Sequence, residues 1–268
     1  MRVSILILTV LLSLTTGYAQ SKNPVQQNGY EIKAQIKPFK NGHYFLAYHF
    51  GNKQFLIDSA KLDANGTAIF KGDKKLQGGI YMIVFPERNG WIECMLDKEQ
   101  HFTVTADTSD LVSTLQFKGS PDNTIFNDYQ IRSFKTGNMI NEIRKKINSN
   151  PNDINNVLFN EQIKNLGNDL QQYRDSIQKT NPKLLLTAIF DLLKDPVIPQ
   201  AKDHPSGKYD SIYAYQYYKN HFWDGVSFTD DRLIRTPVLQ GKFDRYYDQV
   251  LPADPDSIIL YADKMLDE

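Results

Sequence analysis

The sequence predicts an α+β chain of two domains: an N-terminal antiparallel β-sandwich of jelly-roll-like form, then an all-α helical domain. Three observations predict it. Short runs that alternate apolar and polar residues, broken by turn residues, fill positions 29–119. Gly119-Ser120-Pro121 then punctuates the chain. Beyond it, over residues 122–268, the apolar residues recur with helical spacing. At 268 residues the chain is long enough for two domains that each bury a core.

In chain order, Arg2 gives a positive start, residues 3–14 are an apolar run, and Gly17 and Ala19 occupy small-residue cleavage positions. Residues 1–19 are therefore predicted to be a signal peptide cut after Ala19, and the mature protein to be exported, periplasmic or secreted. The run of about twelve residues is short of the roughly twenty that a membrane-spanning helix needs, and no later stretch is apolar enough. Cys94 is the only cysteine. It can make no intrachain disulfide, and no cysteine follows the signal segment to take a lipid anchor. Inside a strand pattern, it reads as a small buried residue. The 31 basic residues balance the 31 acidic ones, which leaves no electrostatic footprint for nucleic acid.

Strands are predicted at 30–36, 43–50, 54–60, 67–71, 79–85, 91–96, 101–106 and 113–117. Asn65-Gly66 and Asn89-Gly90 tolerate the positive φ angles of tight hairpin turns, so the runs on either side of Asn89-Gly90 are expected to pair antiparallel. Eight closely spaced strands favour a sandwich over a parallel sheet with crossover helices.

In the second half, Asp122 or Asn123 is expected to cap a helix that reaches about Ile147, with Gly137 weakening its middle. Phe159, Ile163, Leu166, Leu170, Tyr173 and Ile177 make one apolar helical stripe. After Asn181-Pro182 the segment 183–194 is apolar almost all round, which marks a central helix. A proline-rich loop follows, and Asp210 is expected to cap a helix over 211–222, with Tyr213, Tyr217 and Trp223 near one face and Lys219 outward.

Residues 223–239, WDGVSFTDDRLIRTPVL, are the densest stretch of special chemistry. Asp224-Gly225 reads as a turn, and Thr229 as a helix cap with Asp230 and Asp231 in the first turn. Arg232 and Arg235, three apart, are placed to share carboxylate partners. Thr236-Pro237 reads as a second helix start, with Pro237 at the first helical position. A final helix is expected from Asp254-Pro255.

The stretch His221-Phe-Trp-Asp-Gly-Val-Ser-Phe-Thr-Asp-Asp-Arg-Leu-Ile-Arg-Thr-Pro-Val238, with Phe243, Tyr246 and Asp256-Ser-Ile-Ile259, resembles a helical domain of uncharacterised function from Bacteroidota. Ile57-Asp58-Ser59-Ala60, Asp63-Ala-Asn-Gly66 and Phe117-Lys-Gly-Ser120 resemble the β-domain that precedes it in exported thioredoxin-like thiol-disulfide oxidoreductases. The resemblance implies a redox domain with a Cys-x-x-Cys pair, and this sequence holds one cysteine. Either the redox domain follows in a longer chain, or the non-catalytic modules stand alone.

The bland readings prevail elsewhere. The five histidines show no metal-ligand spacing, no G-x-S-x-G elbow is present, and Asp230 and Asp231 are explained by capping. Tyr213, Tyr215, Tyr217 and Tyr218 suit sugar or peptide contacts and equally suit packing. No cofactor, metal or catalytic residue is assigned. Trp223, Asp224, Asp231, Arg232, Arg235, Pro237, Tyr213 and Tyr217 are structural or interaction residues. The expected function is a non-catalytic scaffold that presents partners to a thioredoxin-like domain in cis or in trans. The alternative is a standalone exported binding protein for glycans or peptides.

Overall fold

The computed structural model describes residues 28–266, so the signal segment 1–19 lies outside the described residues. The fold is α+β, with two four-stranded sheets followed by helices, and neither sheet closes into a barrel. In the first sheet, β1 (Tyr30–Lys37), β4 (Thr67–Gly72), β7 (His101–Asp107) and β8 (Gln116–Lys118) lie in the order β4-β1-β7-β8. The second holds β2 (His43–Phe50), β3 (Lys53–Lys61), β5 (Gly79–Val84) and β6 (Trp91–Leu96) in the order β3-β2-β5-β6.

Period-two alternation builds the core that the sheets share. Ile32, Ile36, Phe70 and Val104 of the first sheet join Tyr44, Leu46, Tyr81, Ile83, Cys94 and Leu96 of the second. Each such side chain contributes about 1.5–3 kcal/mol by leaving water. The polar tip of Tyr44 is satisfied across the sheets: its hydroxyl donates to Ile36 O at 3.0 Å and accepts from Ile36 N at 3.1 Å. The opposite face of the second sheet is buried too. Ile80 and Met95 pack with Phe126, Leu185, Phe190, Leu233 and Leu239 of the helical region, which is why β5 reads as a nearly unbroken apolar run.

Several expectations are corrected. β1 and β7 pair parallel, because the chain crosses from the edge of one sheet at β6 into the other before β7 begins. Asn65-Gly66 closes no hairpin: Gly66 has φ +74°, but the turn links β3 to β4 in different sheets. β5 and β6 do pair antiparallel, yet the positive φ beside Asn89-Gly90 falls on Arg88, at 55°, whose guanidinium sits 4.6 Å over the Phe45 ring. The expected strand at 113–117 is cut to three residues, since Asp110 accepts from Ser113 N and curls the short helix α1 (Leu111–Thr114).

The helices are α2 (Pro121–Ser149), α3 (Asn156–Thr180), α4 (Leu185–Leu193), α5 (Ser211–Asn220), α6 (Leu239–Arg245) and α7 (Pro255–Leu266). α6 runs into a π-helical turn, Tyr246–Val250. No helix among the described residues is long and apolar enough to cross a membrane. α2 is capped by Ser120 with Pro121 in its first turn, two to three residues earlier than expected, and it passes Gly137 unbroken. The stripe on α3 holds: its members are half-buried, and Ile177 at its end is buried. α4 is central, with Leu185, Leu186, Phe190 and Leu192 at 2% exposure or less. Asp210 caps α5, accepting from Ile212 N and Tyr213 N at 2.8 and 3.1 Å.

Asn123 is released from the capping role and does something else. It is fully buried, its Oδ1 accepts from Met95 N at 2.6 Å, and its Nδ2 donates to Met95 O at 2.8 Å. The carboxamide takes the place of a neighbouring strand along the free edge of β6. Asn123→Ala leaves both backbone groups buried without a partner, and is expected to cost about 2–4 kcal/mol. Urea unfolding checks this, and a loss below about 1 kcal/mol would mean that the edge finds another partner.

Candidate functional site

The stretch 223–239 is less helical than its sequence reads. Gly225 makes a turn at φ +81°, and between it and α6 the only helical turn is the 3-10 turn Leu233–Arg235. Thr229 caps nothing: its hydroxyl lies 3.0 Å from that of Ser227. Arg232 takes the Asp230 carboxylate, with Nε and backbone N on Oδ1 at 2.8 and 3.2 Å and Nη2 on Oδ2 at 2.7 Å. That fork curls the backbone where a first helical turn was expected, and leaves Asp231 exposed. It also holds the Asp230 carboxyl below the usual carboxylate range. Pro237 is exposed and precedes Val238, the cap of α6, so it does not occupy the first helical position.

The arginines do not share a carboxylate. Arg232 gives Nη1 to Asp97 Oδ2 at 2.5 Å, just past the end of β6. Arg235 is buried, and donates to Asp231 O at 2.7 Å, to Gly78 O at 3.4 Å and to Gln77 Oε1. The aliphatic parts of both lie directly on Gly78 and Gly79, where an added Cβ would collide with them. Gly51 N, at the β2–β3 turn, donates to Ile234 O at 3.0 Å. One 3-10 turn is thus tied to the same end of β2, β5 and β6.

Trp223 begins an aromatic cluster. Its ring centroid lies between 4.9 and 5.4 Å from those of Phe222, Phe228, Phe243 and Tyr246. Phe222 and Tyr246 are the buried members, and Trp223 is half-buried. Lys242 is 4% exposed, donates Nζ to Lys194 O at 3.0 Å, and lies 4.8 and 5.6 Å from the Phe222 and Trp223 ring centres. Burial, and then the nearby Arg245 charge, push its pKa down to about 8.

A cavity of about 420 Å³ lies beside this cluster, between α5 and α7. Lys219, Asn220, Trp223, Tyr246, Tyr261 and Lys264 line it, with Asp224 and Met265. Lys219, expected to look outward, is only 7% exposed, with its ammonium 4.5 Å from the Tyr261 ring centre. Trp223 Nε1 is buried without a partner. Tyr213 and Tyr217 are not brought there. They form a row of tilted rings between His204 and His221, at 4.8, 6.2 and 4.1 Å from one ring to the next. His204 accepts from Asp210 N at Nδ1, so its Nε2 carries the proton and donates to Pro199 O at 3.1 Å, which pins the proline-rich loop. His221 Nδ1 meets Asp224 Oδ2 at 2.7 Å.

Two other hollows are wider. One of about 610 Å³ lies over the exposed Glu31–Lys71 ion pair, and one of about 590 Å³ lies between α2 and α3. Neither brings a buried cation and aromatic rings together. Among the described residues no three His, Cys, Asp or Glu side chains gather where they could hold a metal. His43 is exposed, while His49 is buried 3.7 Å from Glu93.

Arg232→Ala is expected to cost about 2–4 kcal/mol, since it leaves Asp97 and Asp230 without their cation. Trp223→Ala is expected to cost about 3 kcal/mol through loss of ring contacts. Thermal or urea unfolding reads both. For Lys242, the folded chain loses its proton near pH 8, whereas the unfolded chain keeps it to about 10.4. Unfolding in that window therefore takes up a proton, and stability rises with pH. Relative to Lys242→Met, the parent chain is expected to gain about 1–2 kcal/mol between pH 7.5 and 9.5. A difference that stays flat with pH would refute this.

Residues 30–126, from β1 into the first turns of α2, match a domain of unknown function, DUF4369. No curated protein and no solved structure matches the chain.

Proposed function

We propose that this chain is a non-catalytic, extracytoplasmic part of a thioredoxin-like thiol-disulfide oxidoreductase family, a scaffold that presents partners to a redox domain supplied in cis or in trans. In this reading residues 1–19 are a signal peptide, 29–119 a jelly-roll-like β-sandwich domain and 122–268 a helical domain. The observation that carries it is Cys94. Its side chain is fully buried in the core between the sheets, and burial pushes its thiol far above the ordinary range. A thiol held neutral and out of reach does not exchange disulfides. Support comes also from the charged side chains of the 230–235 stretch, which are engaged as ties. A surface for a partner is at hand on β3, an edge strand that exposes Phe55, Leu56 and Ile57.

The purified chain is expected to show no thiol-disulfide turnover, and Cys94 no labelling by a thiol reagent before unfolding. A rate that Cys94→Ser abolishes would sink the proposal. A thioredoxin-like domain exported by the same organism is expected to bind the chain at roughly 1–100 μM in calorimetry. Failure of all such domains to bind rejects the scaffold role.

A second reading, a standalone exported binding protein for glycans or peptides, is favoured by a separate observation. The cavity between α5 and α7 joins ring faces to polar groups, as small-molecule sites do.

A further inference from the structure

We propose that the cavity between α5 and α7 binds an acidic sugar, a pyranose ring bearing a carboxylate, with Lys219 and Lys264 on the carboxylate and Tyr261 and Trp223 beside the ring. This deepens the glycan-binding reading and rests on it.

Lys219 carries the argument. Its side chain is 7% exposed, and its ammonium lies 4.5 Å from the Tyr261 ring centre and 5.5 Å from that of Tyr215. Among the described residues no carbonyl or carboxylate pairs with it. Ring faces offset part of the cost of drawing this ammonium out of bulk water, and its remaining N–H groups are left to the solvent of the cavity that it lines. Lys242 shows the satisfied case, with the Lys194 carbonyl at 3.0 Å.

Lys264 is a second cation, 4.9 Å from the same Tyr261 ring centre. Two ammonium groups close to one ring place like charges at the cavity, and a carboxylate there offsets part of their repulsion.

The remaining lining selects the kind of anion. About 420 Å³ is far larger than an inorganic phosphate requires, and suits one small ring. Aromatic faces pack against the C–H faces of a sugar. Asn220 and Asp224 then meet hydroxyl groups, for which the site needs acceptors as well as donors. Asp224 is exposed, and binds His221 Nδ1 at 2.7 Å through Oδ2, which leaves Oδ1 as an acceptor. A flat aromatic acid would offer Asp224 no hydroxyl to accept from.

Calorimetry on the purified full chain at low salt tests this, with methyl glucuronide and methyl galacturonide as probes. Methyl glucoside, benzoate, phosphate and short neutral peptides are the comparisons. At least one uronide is expected to bind at about 10 μM to 1 mM, and the uncharged glucoside about tenfold more weakly. Lys264→Met, on the exposed rim, is expected to weaken the uronide about threefold to tenfold with the melting temperature unchanged, and Lys219→Met by more than about tenfold. A glucoside or peptide that binds as well as the uronides, indifferent to both lysines, overturns the acidic-sugar assignment while the glycan or peptide reading survives. Phosphate or benzoate binding as tightly as the uronides overturns it too. No binding by any sugar or peptide overturns both. Asp267→Asn with Glu268→Gln is expected to change nothing; a gain of about tenfold would assign the cavity to the chain's own carboxylates and overturn the proposal.

Discussion

Two arginine side chains lying on two glycines set the geometry of the helical region. Gly78 and Gly79 have no Cβ, so the 3-10 turn Leu233–Arg235 approaches the start of β5 closely enough for Arg235 to reach Gln77 and Gly78 O. Arg232 then spans from Asp230 to Asp97 on the neighbouring strand end. Neither guanidinium is spent on solvent. With the turn fixed, Leu233 and Leu239 enter the core beside α4, and the chain is delivered into the aromatic cluster that walls the cavity.

The legible parts of the fold were those whose cause is local. Strand alternation, the α3 stripe and the Asp210 cap are each decided within a few residues, and each appears where the sequence puts it. The misread parts have distant causes. Thr229 has the chemistry of a cap, but Asp230 is taken by Arg232, and Arg232 is held in place by a residue 135 positions away. Asn123 has cap chemistry too, and spends it on Met95 of β6.

The cavity was the least legible feature. Its tyrosines, Tyr246 and Tyr261, come from the π-helical turn and α7, while of the four tyrosines crowded on α5 Tyr213 and Tyr217 lie against histidines and Tyr215 and Tyr218 reach Val250 O and Asp195. Lys219 looked solvated because its neighbours on α5 are polar or amphipathic, and only the arrival of α7 buries it. A lysine that acquires its burial from an element some forty residues later leaves no local signature. Among the described residues the helical region buries three cations, Lys219, Lys242 and Arg235, in a chain of zero net charge, and each is met by ring faces or carbonyls.

The ties at residues 232–235 also impose an order of events. The strand-end partners of the two arginines lie 135 to 158 positions earlier in the chain, and Gly51, tied to Ile234, lies about 180 earlier, so the loop that must close is among the longest the molecule contains. Contacts of such separation are slow to find and form late, after the sheets have paired through shorter loops. During synthesis the second sheet emerges well before the turn that ties down its end, and until then Ile80 and Met95 on its outer face have no cover. The interval between the two is a window of vulnerability for the nascent chain, and its length is set by the spacing of Gly78 and Arg235 along the sequence.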